Sequence, residues 1–249
     1  MAVGDRSSSG VTYASRTNTT LTAPTGIQDG DVLIIHFCIA AVSPPIPTPP
    51  TGFVAVPGPT FPVSVTGGGF FVANYTWYKI ASSESGNYTI THATASSQGW
   101  IVACSGADTG APFGQNETAN PQNFAGGTVG SFSSTTAIGI STTRSGCLII
   151  FISQDWGDGA NNLTGPAGYT KRFGSNTTAG ILYAADLQQA AAGATSNQTI
   201  TNNSAMSSSG TPTTNTNPWA GFLIAVQPAL VSATFDMGAR SCIVVPGGL

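Results

Sequence analysis

The residues able to do acid–base, nucleophilic or metal chemistry in this chain are few: two histidines, two glutamates, four cysteines and a handful of aspartates. His36 lies inside an apolar run and His92 inside an alternating one. Nothing places a serine in a nucleophile elbow, so no Ser-His-Asp set can be argued. Glycoside hydrolysis needs two positioned carboxylates. Glu84 and Glu117 both fall in loop-like sequence, and the aspartates are dispersed. The reading is a protein without catalytic residues and without a cofactor.

The segment Asp155-Trp156-Gly157-Asp158-Gly159, followed by Asn161 and Asn162, is rich in oxygen donors suited to Ca²⁺. Its spacing is not that of an EF-hand loop, and Asp and Gly serve a turn equally well. Asp29 and Asp31 around Gly30 read the same way, and Gly67-Gly68-Gly69 lacks the lysine of a phosphate loop. The cysteines Cys38, Cys104, Cys147 and Cys242 show no Cys-x-x-Cys or Cys/His spacing, so no metal site is expected. Three of them sit in apolar strands as small hydrophobes. Cys242, in a terminal segment, is the candidate interchain contact. Of the four tryptophans, Trp77 and Trp100 lie on apolar strands and belong to a core. Trp156 and Trp219 lie at loop edges and are the candidate platforms for a glycan or receptor.

The elements that must position these residues are strands. Asp31–Ala41 (DVLIIHFCIAA) and Gly146–Trp156 (GCLIIFISQDW) are continuous apolar runs, rich in β-branched residues and short for a helix. They read as strands buried on both faces. Aligning the two runs end to end sets Phe151 opposite His36, which makes His36 a packing residue. The segments after the two runs are also alike. A Pro-x-Gly-aromatic turn comes first, Pro50–Phe53 and then Pro166–Tyr169. A Tyr-bearing strand is next, then Asn-x-Thr-Ile-Thr (Asn87–Thr91, Asn197–Thr201), then a closing apolar strand (Trp100–Ala103, Phe222–Val226). No amphipathic helix is evident. The expected fold is all-β, a jelly-roll-like β-sandwich with one continuous core, built from two sequence-related halves of about six strands each.

The resulting organisation is an N-terminal arm (1–10), a first β half (11–113), a connecting loop (114–127), a second β half (128–228) and a C-terminal extension (229–249). Ser43–Gly52 carries five prolines in ten residues. Such a loop is stiff and has few backbone donors; it reads as an interface loop rather than a ligand for a proline-recognition domain.

Charged residues make up 7% of the chain and the net charge is -3, against about 25% charged residues in ordinary globular proteins. Nucleic-acid binding needs clustered Lys or Arg and is excluded as an expectation. Disorder goes with low hydrophobicity and high net charge, whereas 41% of this chain is hydrophobic. No run approaches the roughly 18 apolar residues of a membrane span, and the N-terminus lacks the pattern of a signal peptide. Synthesis in a host cytoplasm and later work outside it, in a virion, suits both the N-terminus and the hydroxyl- and amide-rich composition.

The Thr-rich opening strand, Gly30-Asp31-Val32-Leu33-Ile34-Ile35, the Pro-x-Gly-aromatic turn, the aromatic strand Tyr75–Ala81 and Ser105-Gly106-Ala107-Asp108 before Ala111-Pro112 together resemble β-sandwich accessory proteins of tailed-phage virions. These are decoration, fibre and tail-associated proteins. The resemblance covers about residues 17–113 and extends more weakly into the second half. It implies a non-enzymatic structural role: decorating or cementing a capsid, a homo-oligomer with a trimer favoured, and contacts to proteins such as the major capsid protein. The alternative is a carbohydrate- or receptor-binding module of a phage fibre, phage tail or bacterial surface, with a host-surface glycan on Trp156 and Trp219.

Overall fold

The computed structural model describes residues 2–57, 63–67, 70–113, 134–137, 139–155, 163–177, 180–202 and 219–230. The described chain is all-β, and every strand pairing in it is antiparallel. The strands are β1 (Gly4–Leu21), β2 (Val32–Ala41), β3 (Val54–Ala55), β4 (Val63–Gly67), β5 (Phe70–Ile80), β6 (Tyr88–Ser105), β7 (Ser134–Ala137) and β8 (Ser141–Thr142). They continue with β9 (Cys147–Asp155), β10 (Leu163–Thr164), β11 (Thr170–Thr177), β12 (Gly180–Gln189), β13 (Gly193–Ala194), β14 (Gln198–Asn202) and β15 (Trp219–Val226). One sheet has the order β1-β6-β2-β5-β3, with β4 also on β5. A second has the order β11-β12-β9-β15, and a third β10-β14-β7.

β2 and β9 are central strands, and the sequence explains why. Every residue from Val32 to Ala40 is buried, which requires cover on both faces of the sheet. The cover divides the apolar side chains into three main layers rather than one continuous core. A middle layer joins the first and second sheets, with Val32, Ile34, Trp100 and Val102 facing Leu148, Ile150, Ile152 and Phe222. On the far side of the first sheet, Leu33, Ile35, Phe37 and Trp77 pack with Leu21 and Ile90. On the far side of the second, Ile149, Phe151 and Tyr183 pack with Ala137 and Ile200. Odd and even residues of β2 thus serve different layers, as the period of two requires.

The two central sheets share a strand pattern, β6-β2-β5 against β15-β9-β12, and this fixes their mutual register. Gly99 stands opposite Phe37, and Gly221 stands opposite Ser153. Gly30 and Gly146 both have positive φ (88° and 80°) and both donate their backbone N–H to the end of the neighbouring segment, at Ala81 and Gln189. In this register His36 occupies the place of Ile152, one residue away from the Phe151 that end-to-end alignment sets opposite it. A slip of one residue reverses every side chain. His36 therefore points into the middle layer, whereas Phe151 points into the outer one.

Residues 4–10, expected as an arm, are the first part of β1 and pair with β6 from Ser105 to Trp100. The same strand continues beyond residue 10 to Leu21. β1 passes through register shifts between Tyr13 and Asn18, with Ser15 at φ 50°, and its second part pairs with β6 at Thr91 to Tyr88. A bulge of this kind bends a strand and adds twist. It lets one strand begin on the first sheet and end, with Leu21, in the outer layer.

Candidate functional site

The strongest concentration of polar side chains in the interior lies at one end of the middle layer. Three neighbouring strands build it on one face. β2 contributes His36 and Cys38, β5 contributes Thr76 and Asn74, and β6 contributes Trp100 and Gln98. Each of these pairs stands directly across from the next in the ladder. Opposite them, β15 brings the Phe222 ring to 5.4 Å from the His36 ring. Gln154 of β9 shares a crevice with Cys38, Val72 and Gln98.

The His36 Nδ1 is 2.9 Å from the Thr76 hydroxyl, and the Cys38 thiol donates to the Gln98 carbonyl at 3.7 Å. Trp100 Nε1 and Gln154 Oε1 are buried here with no hydrogen-bond partner among the described residues, and the His36 imidazole is also engaged by the Asn74 side chain. Burial sets the chemistry. It pushes the imidazole of His36 down to about 3 and the thiol of Cys38 up to about 12. At neutral pH the group is an uncharged imidazole beside a protonated thiol. It is a hydrogen-bonding array, with neither a thiolate nor an imidazolium.

His92 does not join it. Its side chain lies on the opposite face of the first sheet, where Nδ1 donates to the Ala93 carbonyl at 2.9 Å and Nε2 meets the Thr19 hydroxyl at 3.0 Å. Thr19 is in turn 2.6 Å from the Ser97 hydroxyl. The second histidine is a satisfied core residue.

The other end of the middle layer is ionic. Arg6 grips Asp31 with Nε at 2.7 Å and Nη2 at 3.0 Å. Arg172 grips Asp186 with the same two distances and reaches Asp5 at 2.8 Å. The carboxylates are 3–5% exposed and the arginines about a third or less. Burial raises the pKa of Asp5 despite the pull of Arg172, and the neighbouring Asp186 adds to the rise. Cys104 stands beside all three carboxylates, and burial together with their charge holds its thiol protonated. A cleft of about 390 Å³ opens here, lined by Val3, Asp5, Thr170, Arg172, Asp186 and Gln188 among others. Sequence reasoning missed this network because its members come from strands far apart in the chain.

Of the residues singled out from sequence, Trp219 opens β15, its backbone paired with Asp155 at the end of β9. Trp156, Asp158, Glu117 and Cys242 lie outside the described residues, as does the Trp219 side chain. Asp29 accepts a hydrogen bond from the Ser83 N–H at 2.6 Å, and Asp31 serves Arg6, so both acids are structural. Glu84 accepts from the Ser82 N–H and the Tyr88 hydroxyl and pairs with Lys79. Cys38, Cys104 and Cys147 are buried, and no disulfide joins any two of them. Among the described residues no three His, Cys, Asp or Glu side chains gather as metal ligands.

No family model, no characterised protein and no solved structure matches this chain.

Proposed function

We propose that the chain is a non-enzymatic structural protein of a tailed-phage virion, decorating or cementing the capsid by self-association and by contact with neighbouring subunits. The observation that supports this reading is where the few charges go. Arg6, Lys79, Arg144 and Arg172 each hold a carboxylate of the same chain at 2.6–2.8 Å. Lys171 lies over the Tyr183 ring. Among the described residues these charges are thus engaged within the chain, which leaves mainly hydroxyls, amides and apolar carbons to meet a partner. Such a surface can be buried against many neighbours without stranding ions in a low dielectric. The resemblance read from the sequence of residues 17–113 is what suggests the virion setting.

The experiment is labelling of purified particles, from the phage or prophage that encodes the chain, with an antibody against it. Label on the shell, and sedimentation of added protein with expanded capsids, is the expected result. Chain found solely in the unassembled fraction, with no sedimentation, overturns the reading.

A further inference from the structure

Asp5, Asp186 and Arg172 meet in the lining of the cleft of about 390 Å³. Arg172 Nε stands 2.8 Å from Asp5 Oδ2 and 2.7 Å from Asp186 Oδ2. Two carboxylates share one guanidinium, while Arg6 and Asp31 beside them cancel each other. The cluster therefore holds one negative charge in excess when both acids are ionised. The Asp5 side chain is 3% exposed. The Ser7 N–H adds a hydrogen bond to its carboxylate, and Oδ1 is left with no partner among the described residues. An excess charge at that depth is costly until a proton or a counter-charge meets it.

The rest of the cleft says what kind of cation fits. Val3, Leu148 and Leu187 give it apolar walls, and Thr170 and Gln188 add polar groups. The Val3 side is fixed in place: its N–H donates to the Gly146 carbonyl, and its own carbonyl accepts from Gln188 Nε2, both at 2.9 Å. A bare divalent ion finds too few ligands. Hard cations take six or more oxygens, and among the described residues no three acidic, His or Cys side chains gather as ligands. The volume and the apolar walls suit an alkyl stem that carries its charge at the tip. An ammonium there brings three donors to a cluster with one carboxylate oxygen unmet.

We propose that this cleft binds a primary alkylammonium, the group of a lysine side chain on a partner protein or of a free alkylamine. Its charge meets Asp5, and its stem lies along Leu148 and Leu187. The two lysines of the chain are committed elsewhere, Lys79 to Glu84 and Lys171 over the Tyr183 ring. The ligand is therefore a group on another molecule. This inference goes beyond the virion reading and does not depend on it.

The test is an amide NMR titration of the full chain at neutral pH with Nα-acetyl-lysine N-methylamide and with cadaverine. Nα-acetyl-norleucine N-methylamide, which has the stem without the charge, is the control. Saturable shifts at Val3, Gly4, Leu187 and Gln188 with an amine, absent with the control, are the expected result. Tighter binding of the lysine amide assigns a protein partner to the cleft, and tighter binding of cadaverine a free amine; either supports the site. Asp5→Asn should weaken binding about ten-fold or more, because a charge-assisted hydrogen bond is lost. Should that variant unfold, Leu187→Ala is the substitute and weakens binding several-fold through loss of the apolar wall. No saturable shift with either amine, an equal response to the norleucine control, or full affinity in Asp5→Asn overturns the proposal. Ca²⁺ that moves the same amides and displaces the amine overturns it too, in favour of a divalent ion. Each of these results leaves the virion reading to the particle labelling.

Discussion

The two ends of the middle layer solve the same problem in opposite ways. Each buries polar groups between the central sheets. At the N-terminal end Asp5, Asp31 and Asp186 are matched by Arg6 and Arg172 in close, partly bidentate geometry. At the far end the groups are neutral, and Trp100 Nε1 and Gln154 Oε1 have no partner, as Asp5 Oδ1 has none at the ionic end. Charges must be paired because an isolated buried ion is prohibitive, whereas an unpaired neutral group costs about 1–3 kcal/mol. The ionic end therefore tolerates little change, and the neutral end holds slack.

The largest effect expected at either end comes from packing. Trp100 is fully buried, and Trp100→Ala should lower unfolding free energy by about 3–5 kcal/mol, read from urea denaturation. A loss under about 2 kcal/mol would mean that the neutral end collapses around the cavity, and the contrast between the ends would then widen.

Arg172→Met comes next. It leaves Asp5 and Asp186 close together with no cation between them, which for a fully buried pair costs about 3–5 kcal/mol. Arg172 is 32% exposed, so solvent screening brings the expectation to about 2–3 kcal/mol. Adding Asp5→Asn should recover part of the loss. The direction of the Asp5 shift also gives a sign. Its folded pKa is raised, so the folded chain binds the proton more tightly than the unfolded chain does. The stability tied to Asp5 is present at pH below its unfolded value and is lost as pH rises through the raised folded value. Asp5→Asn should flatten that limb. Equal slopes in wild type and variant would show the carboxylate to be well compensated after all.

Much of this contrast was hidden from sequence for physical reasons. The central strands were legible because Val32–Ala40 is apolar without alternation, the mark of cover on both faces. The turns at Gly52 and Gly168 were legible too, and both residues have positive φ (84° and 82°). That same lack of alternation removed the phase of the strand. With apolar residues on both faces, nothing local states which side chain faces which layer. The register was recoverable only from Gly99-Trp100-Ile101 against Gly221-Phe222-Leu223, one strand away. Residues 4–10 looked like an arm because they are polar and hold Asp5 and Arg6. Their partners Asp31, Arg172 and Ser105 are distant in sequence, and no spacing rule connects them.

His36 offers a finer probe of the neutral end. Its pKa falls from 6.5 in the unfolded chain to about 3 in the folded one. The imidazole is buried neutral, so the stability it confers is complete above pH 6.5. It is lost progressively as pH falls toward about 3, because the unfolded chain takes up the proton first. The slope is at most about 1.4 kcal/mol per pH unit. His36→Gln keeps a polar side chain and cannot titrate, so its acid limb should be shallower than that of the wild type. An unchanged limb would assign acid sensitivity to carboxylates with lowered pKa values instead. Asp108 and Glu84, whose pKa values are lowered by Arg144 and Lys79 among other contacts, lose their contribution as pH falls through those lowered values.

The smallest expected effect separates the two ends most sharply. Gln154 is 1% exposed, and its Oε1 accepts no hydrogen bond. It faces Cys38, Val72 and Gln98 across the crevice. Gln154→Met keeps the length of the side chain and removes the stranded acceptor. The change should be neutral or stabilising by up to about 1 kcal/mol, because a buried acceptor without a donor is a liability that an isosteric thioether lacks. No apolar replacement of Arg172 alone can behave this way, since it would leave two carboxylates behind. If Gln154→Met instead costs more than about 1 kcal/mol, the array is satisfied by ordered water bound between the sheets. Density for that water in a high-resolution crystal structure, lost in the variant, would turn the slack end into a second tightly specified one.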